Sequence, residues 1–561
     1  MYLTKRQRHN SMRAQLDRER SSFIPLWRDL GDYILPSRPR FTIADGNRGD
    51  RRNLKIIDPT ATIAARTLAS GMMSGITSPA RPWFRLTTPD PDLAEFGRVK
   101  DWLHLVGQRQ AMVYARSNIY NILPTIYGDT GVFATGALLI EEDFDTVIHT
   151  ASFPIGSYMI GKDHRGVVNT FFREFRLTVR QLVLKFGKQD QNGKPDWSNF
   201  SERVKVAWDN GNYETWIEVC HAISPNPEYN PKAANSKNKK FESCYYEKAC
   251  SDDQKYLRES GYDYFPVLCP RWETTGDDVY GTNSPGILTI GDVKQLQLGE
   301  RRSMQAIEKM VNPPMIGPTS LRNQKASILP GDITWVDERE GTKGFRPAHD
   351  VQFRVLELEQ KQQQVRQRID KGFFADLFLM LANSDRRDIT ATEIVERKEE
   401  KLLALGPVLE QLNQDLLDPL TDITFGFMAS QGWIPEAPEE LQGVPLRIEY
   451  ISSMAQAQKL IGIAGVERFL GFASQVVAAN PETLDKINCD QVIDIYGDMT
   501  SVPPSLIRTD EDTAAIRQQR AQAMQAQQQA QQMQMEAKTA KDLSQTDLGD
   551  DDNALKRLIG Q

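Results

Sequence analysis

Two helical segments of nearly equal length, separated by a compact insert, constrain this chain more than any other feature. The first covers about 290–311 and stops at Asn312-Pro313-Pro314, because proline lacks a backbone donor and clashes with the preceding turn. The second covers about 351–374. At 1.5 Å per residue the two helices would span about 33 and 36 Å. The insert carries strand and turn signals, so the sequence predicts a rod: two matched helices with a small β-containing tip.

The second helix of the rod has one narrow apolar stripe. Its members recur at helical spacing and are Val351, Val355, Leu358, Val365, Ile369 and Phe373. Most of its other positions are Gln, Glu, Lys or Arg, which is too polar for a helix enclosed in a globular core. Two interpretations remain open: a solvated helix packed on one neighbour, or a helix of a wide bundle with a second face on polar space. The matched lengths and the capped tip favour the bundle.

The composition limits the function classes. The 561 residues are enough for several domains, and a net charge of −7 argues against a large basic surface that grips nucleic acid. Cys220-His221 with Cys244 and Cys250 offers zinc-ligand residue types, but there is no CxxC pair, and unlinked small apolar residues are the favoured interpretation. We expect no bound metal and no cofactor. The sequence shows no signal peptide and no membrane-spanning run, so we also expect no membrane partner.

The remainder of the chain predicts a mixed α+β body. Helices are expected over 11–35, after Asp58-Pro59 and over 99–127, followed by successive strands from 133 to 272 with a short helix at 178–186. A long helix from about residue 390 contains Pro407 and Pro419, which should kink or break it. Residues 445–452 alternate as a strand that returns to the body. The rod is therefore an insertion in a discontinuous domain.

Catalytic motifs are absent from the sequence. It has no GxxxxGK[ST] phosphate-binding loop, no HExxH and no GxSxG, and its six histidines are scattered. No pair of carboxylates stands out from the solvated charges expected on a surface. The sequence therefore predicts a protein that is not an enzyme.

Several sequence blocks, in order, carry a resemblance to a known family. They include WRDLGDYILPSRPRF, DPTATIAARTLASGMMSGITSPARPWFRL, SNIYNILPTIYGDTGVFATGALLIEED, RESGYDYFPVLCPRWETTGDDVYGTNSPG, the NPPM stop and TATEIVERKEEKLLALGPVLEQLNQDLLDPL. Over about residues 5–525 the chain resembles the portal proteins, or head-to-tail connectors, of short-tailed, T7-like bacteriophages. No single block is decisive, but their common order is specific.

The resemblance implies the phage-portal fold and a division of the chain into regions. They are a mixed α/β wing (1–285), stem helix 1 (286–312), a clip (313–350), stem helix 2 (351–372), a tunnel loop (373–392), a returning part of the wing (393–452), a helical crown (453–505) and a C-terminal barrel helix with an acidic tail (506–561).

The resemblance also implies a function and partners. The chain would form a ring, usually of twelve copies, at one capsid vertex of the virion, assembled in the host cytoplasm. Double-stranded DNA would pass through the ring during packaging and ejection. The other implied partners are terminase, tail adaptor or nozzle proteins, capsid and scaffolding proteins, and internal core proteins.

The expected contact residues form two groups. Those predicted to face DNA in the tunnel are Arg366, Arg368, Lys371, Arg386 and Arg387. Those predicted to face partners from the clip are Arg322, Lys325, Trp335 and Arg339, since Trp and Arg are enriched in interface hot spots. An ordinary charged turn at 386–387 and a clip core role for Trp335 remain alternatives.

Three rival functions are weighed against the connector. Another structural ring, such as a tail adaptor or tail tube, would usually be much shorter and would lack the matched helices. A nucleic-acid-processing enzyme such as the large terminase subunit needs a phosphate-binding loop and a carboxylate cluster. A monomeric helical scaffold is the third.

Overall fold

The computed structural model describes a mixed helical and sheet protein. The residues that it describes are 4–45, 52–90, 93–94, 96–189, 195–232, 235–250, 252–253, 255–316, 346–347, 355–382, 405–451, 469–477, 480, 486–499 and 510–545. The helices are α1 Lys5–Ser21, α2 Ile24–Tyr33, α3 Thr60–Ile76, α4 Gly97–Arg116, α5 Ile119–Phe133, α6 Val179–Phe186, α7 Glu202–Asp209, α8 Pro285–Val311, α9 Val355–Gly372, α10 Ala375–Ala382, α11 Asp418–Ser430, α12 Cys489–Met499 and α13 Asp510–Gln545. The predicted α+β class is confirmed.

Most strands belong to two antiparallel sheets. The strands are β1 Phe84–Thr87, β2 Leu138–Asp143, β3 Val147–Ser152, β4 Tyr158–Lys162, β5 Val168–Thr178, β6 Lys188–Gln189, β7 Pro195–Asp196, β8 Trp216–Pro225, β9 Phe241–Glu247, β10 Arg258–Tyr262, β11 Val267–Leu268, β12 Met315–Ile316, β13 Arg346–Pro347 and β14 Arg447–Tyr450. The larger sheet has the order β10-β9-β8-β5-β4, and the smaller has β11-β2-β3.

The chain divides into two compact units. The first comprises Met1–Arg85, Val106–Pro435 and Ile448–Gln458, and the second comprises Leu86–Leu105, Glu436–Arg447 and Lys459–Gln561. The first unit holds both sheets and the main core. The second contains α12 and α13, which Arg517 and Asp490 join by an ion pair of 2.6 Å.

Both faces of the five-stranded sheet are covered by helices, because its strands carry apolar residues on both faces. On one face, α1 packs through Leu16 against Phe172, Cys220 and Tyr246. On the other face, α6 and α7 pack over one end of the sheet, around Val219.

The predicted returning strand is confirmed. β14 pairs with β1, and the Ile451 N–H donates to the carbonyl oxygen of Trp83 at 2.9 Å. The predicted disruption of the long helix is also observed, as a π-helical turn over Asn413–Leu417 directly before Pro419. The N–H of Asp418 there donates to the Asn413 carbonyl, five residues back. This wider turn lets the helix continue past Pro419, which has no N–H to donate. Among the described residues, no helix has the length and apolar character to cross a bilayer.

Candidate functional site

Helices α8 and α9 form the predicted hairpin. The Gln362 side chain donates to the Ser303 hydroxyl at 2.9 Å, and Arg368 donates to Asp292 at 2.6 Å. Later residues of α9 therefore contact earlier residues of α8, so the two helices are antiparallel. The predicted pair of rod helices is confirmed over Pro285–Val311 and Val355–Gly372, and residues 351–354 lie outside the described part of the chain.

Local sequence sets the ends of α8. The Ser284 hydroxyl accepts the Ile287 N–H at 3.4 Å, and Pro285 occupies the first turn, where its missing donor costs nothing. The helix ends at Val311, directly before the predicted Asn-Pro-Pro stop. Two faces meet between the helices: α9 buries Val365 and Ile369, and α8 buries Val293.

A buried glutamine ties the hairpin to the segment before α3. The Gln297 side-chain oxygen accepts the N–H groups of Ile57 and Asp58 at 2.6 and 2.9 Å, and its amide donates to the Asp58 carbonyl oxygen at 2.8 Å. The amide therefore binds residues 57 and 58 through both its oxygen and its nitrogen. Since Gln297 is only 4% exposed, the three bonds fix the position of α8 against the body of the first unit.

The carboxylate of Asp58 continues this connection to α9. It accepts the N–H of Thr60, the first residue of α3, at 2.8 Å, and the Arg366 guanidinium at 2.8 Å. Arg366 also donates to Glu300 of α8 at 2.5 Å. Burial by itself would raise the pKa of Asp58, but the hydrogen bonds from Thr60 and the Arg366 charge outweigh it and lower that pKa. We call the set Asp58, Gln297, Glu300 and Arg366 the anchor cluster.

The outer half of α8 exposes an apolar stripe. Met304, Ile307 and Val311 are 58%, 47% and 81% exposed. Steps of three and four residues place them on the face that buries Val293 and Leu296 nearer the start of the helix. The same helical face is therefore covered by the chain at one end and left open at the other.

The structure places three of the predicted tunnel residues on α9. Arg366 belongs to the anchor cluster and is partly buried, Arg368 is about half exposed and paired with Asp292, and Lys371 is exposed. Arg386 and Arg387 lie outside the described residues. The predicted clip residues Arg322, Lys325, Trp335 and Arg339 lie outside them as well. The facing of all these side chains toward DNA or partners stays a prediction.

The segment predicted as a tunnel loop begins with a helix. Phe374 has a left-handed backbone (φ 54°), which turns the chain from α9 into α10. Leu377 and Phe378 of α10 are buried, and Phe378 packs so closely on Gly71 of α3 that a Cβ there would overlap its ring. Apolar burial therefore orders residues 375–382 as helix, and 383–392 lie outside the described residues.

The expectation of a metal-free chain concerns two groups of side chains. Cys220 and His221 are neighbours on β8 and point to opposite faces of the sheet, so they cannot share an ion. Among the described residues, His9, Glu242 and Cys244 have ligand atoms within 4.8 Å of one another. Glu242 already faces Lys5 at 3.3 Å and Arg8 at 2.6 Å, and these charges oppose a further cation.

The anchor cluster was not predicted as a site. Asp58 and Pro59 were expected only to precede a helix, and Gln297 gave no signal because a polar residue on a helix usually faces solvent. One signal was present: Gln297 is a polar residue one position beyond Leu296, on the buried side of the apolar pattern of α8.

Known proteins resemble this chain over nearly its whole length. The family described as bacteriophage head to tail connecting protein matches residues 6–507. The portal protein of Salmonella phage epsilon15 is 48% identical over 547 residues, 98% of this chain and 97% of that protein. A probable portal protein of Bordetella phage BPP-1 is 43% identical over 534 residues, 95% and 94% of the two chains. A chain from the virion of a native gene transfer agent particle aligns over 74% of this chain and 95% of its own, with 11% identity and a TM-score of 0.27, which is too low to carry a structural argument.

Proposed function

The chain belongs to the bacteriophage head-to-tail connecting proteins, and from that premise we propose that its copies close into a ring whose channel is lined by the α8–α9 hairpin. The connector role itself follows from the family and from two portal-protein relatives that match nearly end to end. The same coverage disfavours a tail adaptor or tail tube. The proposal assigns the chain a structural role and no catalytic step.

The exposed apolar stripe of α8 carries the proposal. Water-exposed Met304, Ile307 and Val311 continue a face that is otherwise buried, and burying such side chains is worth about 1.5–3 kcal/mol each. A neighbouring copy of the hairpin offers a helix of matching length. Because such a contact joins two different faces, repeated copies form a ring when the rotation closes. We propose twelve copies, as the family resemblance implies.

The polar helix α9 suits a channel through which DNA must slide. Its exposed positions mix Glu359 with Lys361 and Lys371, and Arg368 is balanced by Asp292. Each phosphate that a protein neutralises adds affinity through counterion release, so alternating charge keeps DNA from being held. The proposal retains Arg366, Arg368 and Lys371 as residues near DNA, with Arg366 acting mainly in the anchor cluster.

The proposed partners follow the sequence of assembly. Terminase would dock on residues 313–350 during packaging, and tail adaptor or nozzle proteins would dock there afterwards, through Arg322, Lys325, Trp335 and Arg339. Arg386 and Arg387 are proposed to make transient phosphate contacts. Capsid, scaffolding and internal core proteins would contact the ring elsewhere, at the virion vertex, after assembly in the host cytoplasm.

The ring proposal predicts the effect of placing charge on the stripe. Met304→Asp/Ile307→Asp should convert a wild-type ring, about twelve times 63.6 kDa by native mass spectrometry, into single chains, because each buried carboxylate must be desolvated. Gln305→Asp adds a carboxylate in the same turn, on an exposed polar position, and should leave the ring intact.

Two results would contradict the proposal. One is a wild-type chain that stays at 63.6 kDa at high concentration, which argues against any ring. The other is a double variant that assembles as well as Gln305→Asp, which would remove the stripe from the interface.

A further inference from the structure

A row of polar side chains crosses the whole five-stranded sheet on one face. Arg258 of β10 lies opposite Tyr245 of β9, Tyr245 lies opposite His221 of β8, and His221 lies opposite Arg173 of β5. Arg173 in turn lies opposite Tyr158 of β4. Directly paired residues of antiparallel strands have Cβ atoms about 4.5–5.5 Å apart and share a face. The row thus brings together residues that are up to 100 positions apart in sequence.

The polar middle of the row, Arg173 and His221, lies between two apolar clusters of the same sheet face, and Tyr245 and Tyr158 of the row belong to those clusters. On one side of Arg173 and His221, two positions along each strand, Phe175 and Val219 pack with α6 and α7. On the other side, again two positions along each strand, Phe171 and Ile223 belong to the main core. We call this polar strip between the clusters the seam.

Three cations lie at the seam, Arg173, Lys185 and Arg258, and the carboxylate of Glu141 acts on Lys185. The Arg173 guanidinium lies 4.6 and 4.5 Å from the ring centres of Phe153 and Phe175, and the Lys185 ammonium from α6 lies 5.7 Å from the ring centre of Tyr245. Arg258 is exposed at the edge strand. Within the described part of the chain, neither Lys185 nor Arg258 forms an ion pair.

The charges at the seam act on one another. Burial and the neighbouring charges of Arg173 and Arg258 lower the pKa of Lys185, and only Glu141 acts in the opposite direction. Burial, followed by the charges of Arg173, Lys185 and Arg258, lowers the pKa of His221 well below its ordinary value. His221 is therefore neutral at physiological pH.

Two buried nitrogens at the seam have no hydrogen-bond partner among the described residues. They are Nδ1 of His221, whose side chain is fully buried, and Nε of Arg173. Nε2 of His221 already pairs with the Ser243 hydroxyl at 3.0 Å, and the ring stacks on Tyr245 with centres 3.8 Å apart. Since Ser243 can donate to Nε2, the free Nδ1 can carry the proton and act as a donor. A buried donor without a partner requires an explanation, and a bound anion is one that fits a group of cations.

We propose that the seam is a binding site for one phosphate group, held by Arg173, Lys185 and Arg258 with His221 as a neutral donor. The charge balance favours phosphate over a carboxylate. Three cations less Glu141 leave a charge of two, and a phosphate carries about −1.5 to −2 at neutral pH with three strong acceptor oxygens. The phosphate is either a free ion or part of a DNA backbone.

Calorimetric titration of the full-length chain with sodium phosphate, at constant ionic strength in chloride, tests the site. Saturable binding near one phosphate per chain is expected. Lys185→Gln/Arg258→Gln should weaken it at least tenfold, and both positions are exposed, so the fold should be retained. Lys205→Gln, at an exposed lysine of α7 that is 3.9 Å from Glu202, is the matched control and should bind as wild type.

A parallel titration with a short DNA duplex distinguishes the two sources. Duplex binding that the double variant loses assigns the site to backbone phosphate, and phosphate binding without duplex binding assigns it to the free ion. Two results would overturn the proposal. One is a wild type that shows no saturable phosphate binding, and the other is a double variant that binds phosphate as tightly as the wild type. The assay does not depend on ring formation, so a failed ring proposal leaves it intact.

Discussion

Removing the Asp58 carboxylate should loosen the helical hairpin from the body of the first unit. In the structure, one oxygen of this carboxylate accepts the N–H and the hydroxyl of Thr60 at the start of α3, and the other accepts Arg366 of α9 at 2.8 Å. Asp58→Ala removes both interactions together. Gln297 would still bind the backbone of residues 57 and 58, so the segment should keep its path.

The expected cost follows from the two interactions. Loss of a side-chain acceptor for an N–H at the start of a helix costs about 1 kcal/mol, and loss of a hydrogen bond to a charged group costs about 1.5–3 kcal/mol. Arg366 keeps Glu300 at 2.5 Å, so the larger penalty for an isolated buried charge does not apply. Asp58→Ala should therefore lower the free energy of unfolding by about 3 kcal/mol. Asp58→Asn keeps an acceptor for Thr60 and should cost about 2 kcal/mol.

Hydrogen exchange read by mass spectrometry measures the effect locally, on peptides that cover α8 and α9. Protection there should fall in the order wild type, Asp58→Asn, Asp58→Ala. Because the folded-state pKa of Asp58 is lowered, its contribution is complete above its ordinary value of 3.8 and is lost as the pH falls through the lowered value. The difference between wild type and Asp58→Ala should thus shrink in acid.

Asp32→Ala is the matched control. Asp32 pairs with Lys55 at 2.7 Å, but both side chains are exposed, and exposed pairs contribute about 0–1 kcal/mol. Equal protection of α9 in Asp58→Ala and Asp32→Ala would refute the anchoring role of Asp58.

Two further substitutions test the body of the first unit. Burial would raise the pKa of Glu242, but His9, Lys5 and Arg8 hold that pKa at about 2. The wild type should therefore be more stable than Glu242→Gln above pH 4.5 and should lose this advantage as the pH falls toward 2. Urea unfolding at a series of pH values measures the difference. Gly71→Ala places a Cβ in the ring of Phe378 and should cost about 1–3 kcal/mol despite its better helix propensity, and thermal unfolding should show that the double variant with Phe378→Ala costs less than the sum of the single changes.

The sequence predicted the elements whose residues repeat at a regular period. Helices α8 and α9, the strands of the larger sheet and the returning strand β14 all have continuous apolar patterns, and local turn and cap residues mark their ends. The break at Asn413–Leu417 was predicted because Pro419 has no N–H to donate and cannot continue a regular α-helix. The start of the tunnel segment was not, since α10 depends on the contact between Phe378 and Gly71, more than 300 positions apart.

The anchor cluster and the seam were beyond sequence reasoning for a related reason. Each joins polar residues from distant segments, and at every position separately the same residue would be read as solvated. Pairing across strands turns Arg173 and His221 into neighbours, and helix packing does the same for Asp58 and Arg366. Such clusters cost desolvation energy, so a chain that needed only stability would do as well with apolar residues in their place. The polar contacts of the anchor cluster fix one position of the hairpin, which apolar packing alone would specify less sharply, and the polar groups of the seam are the ones that we propose to hold a phosphate.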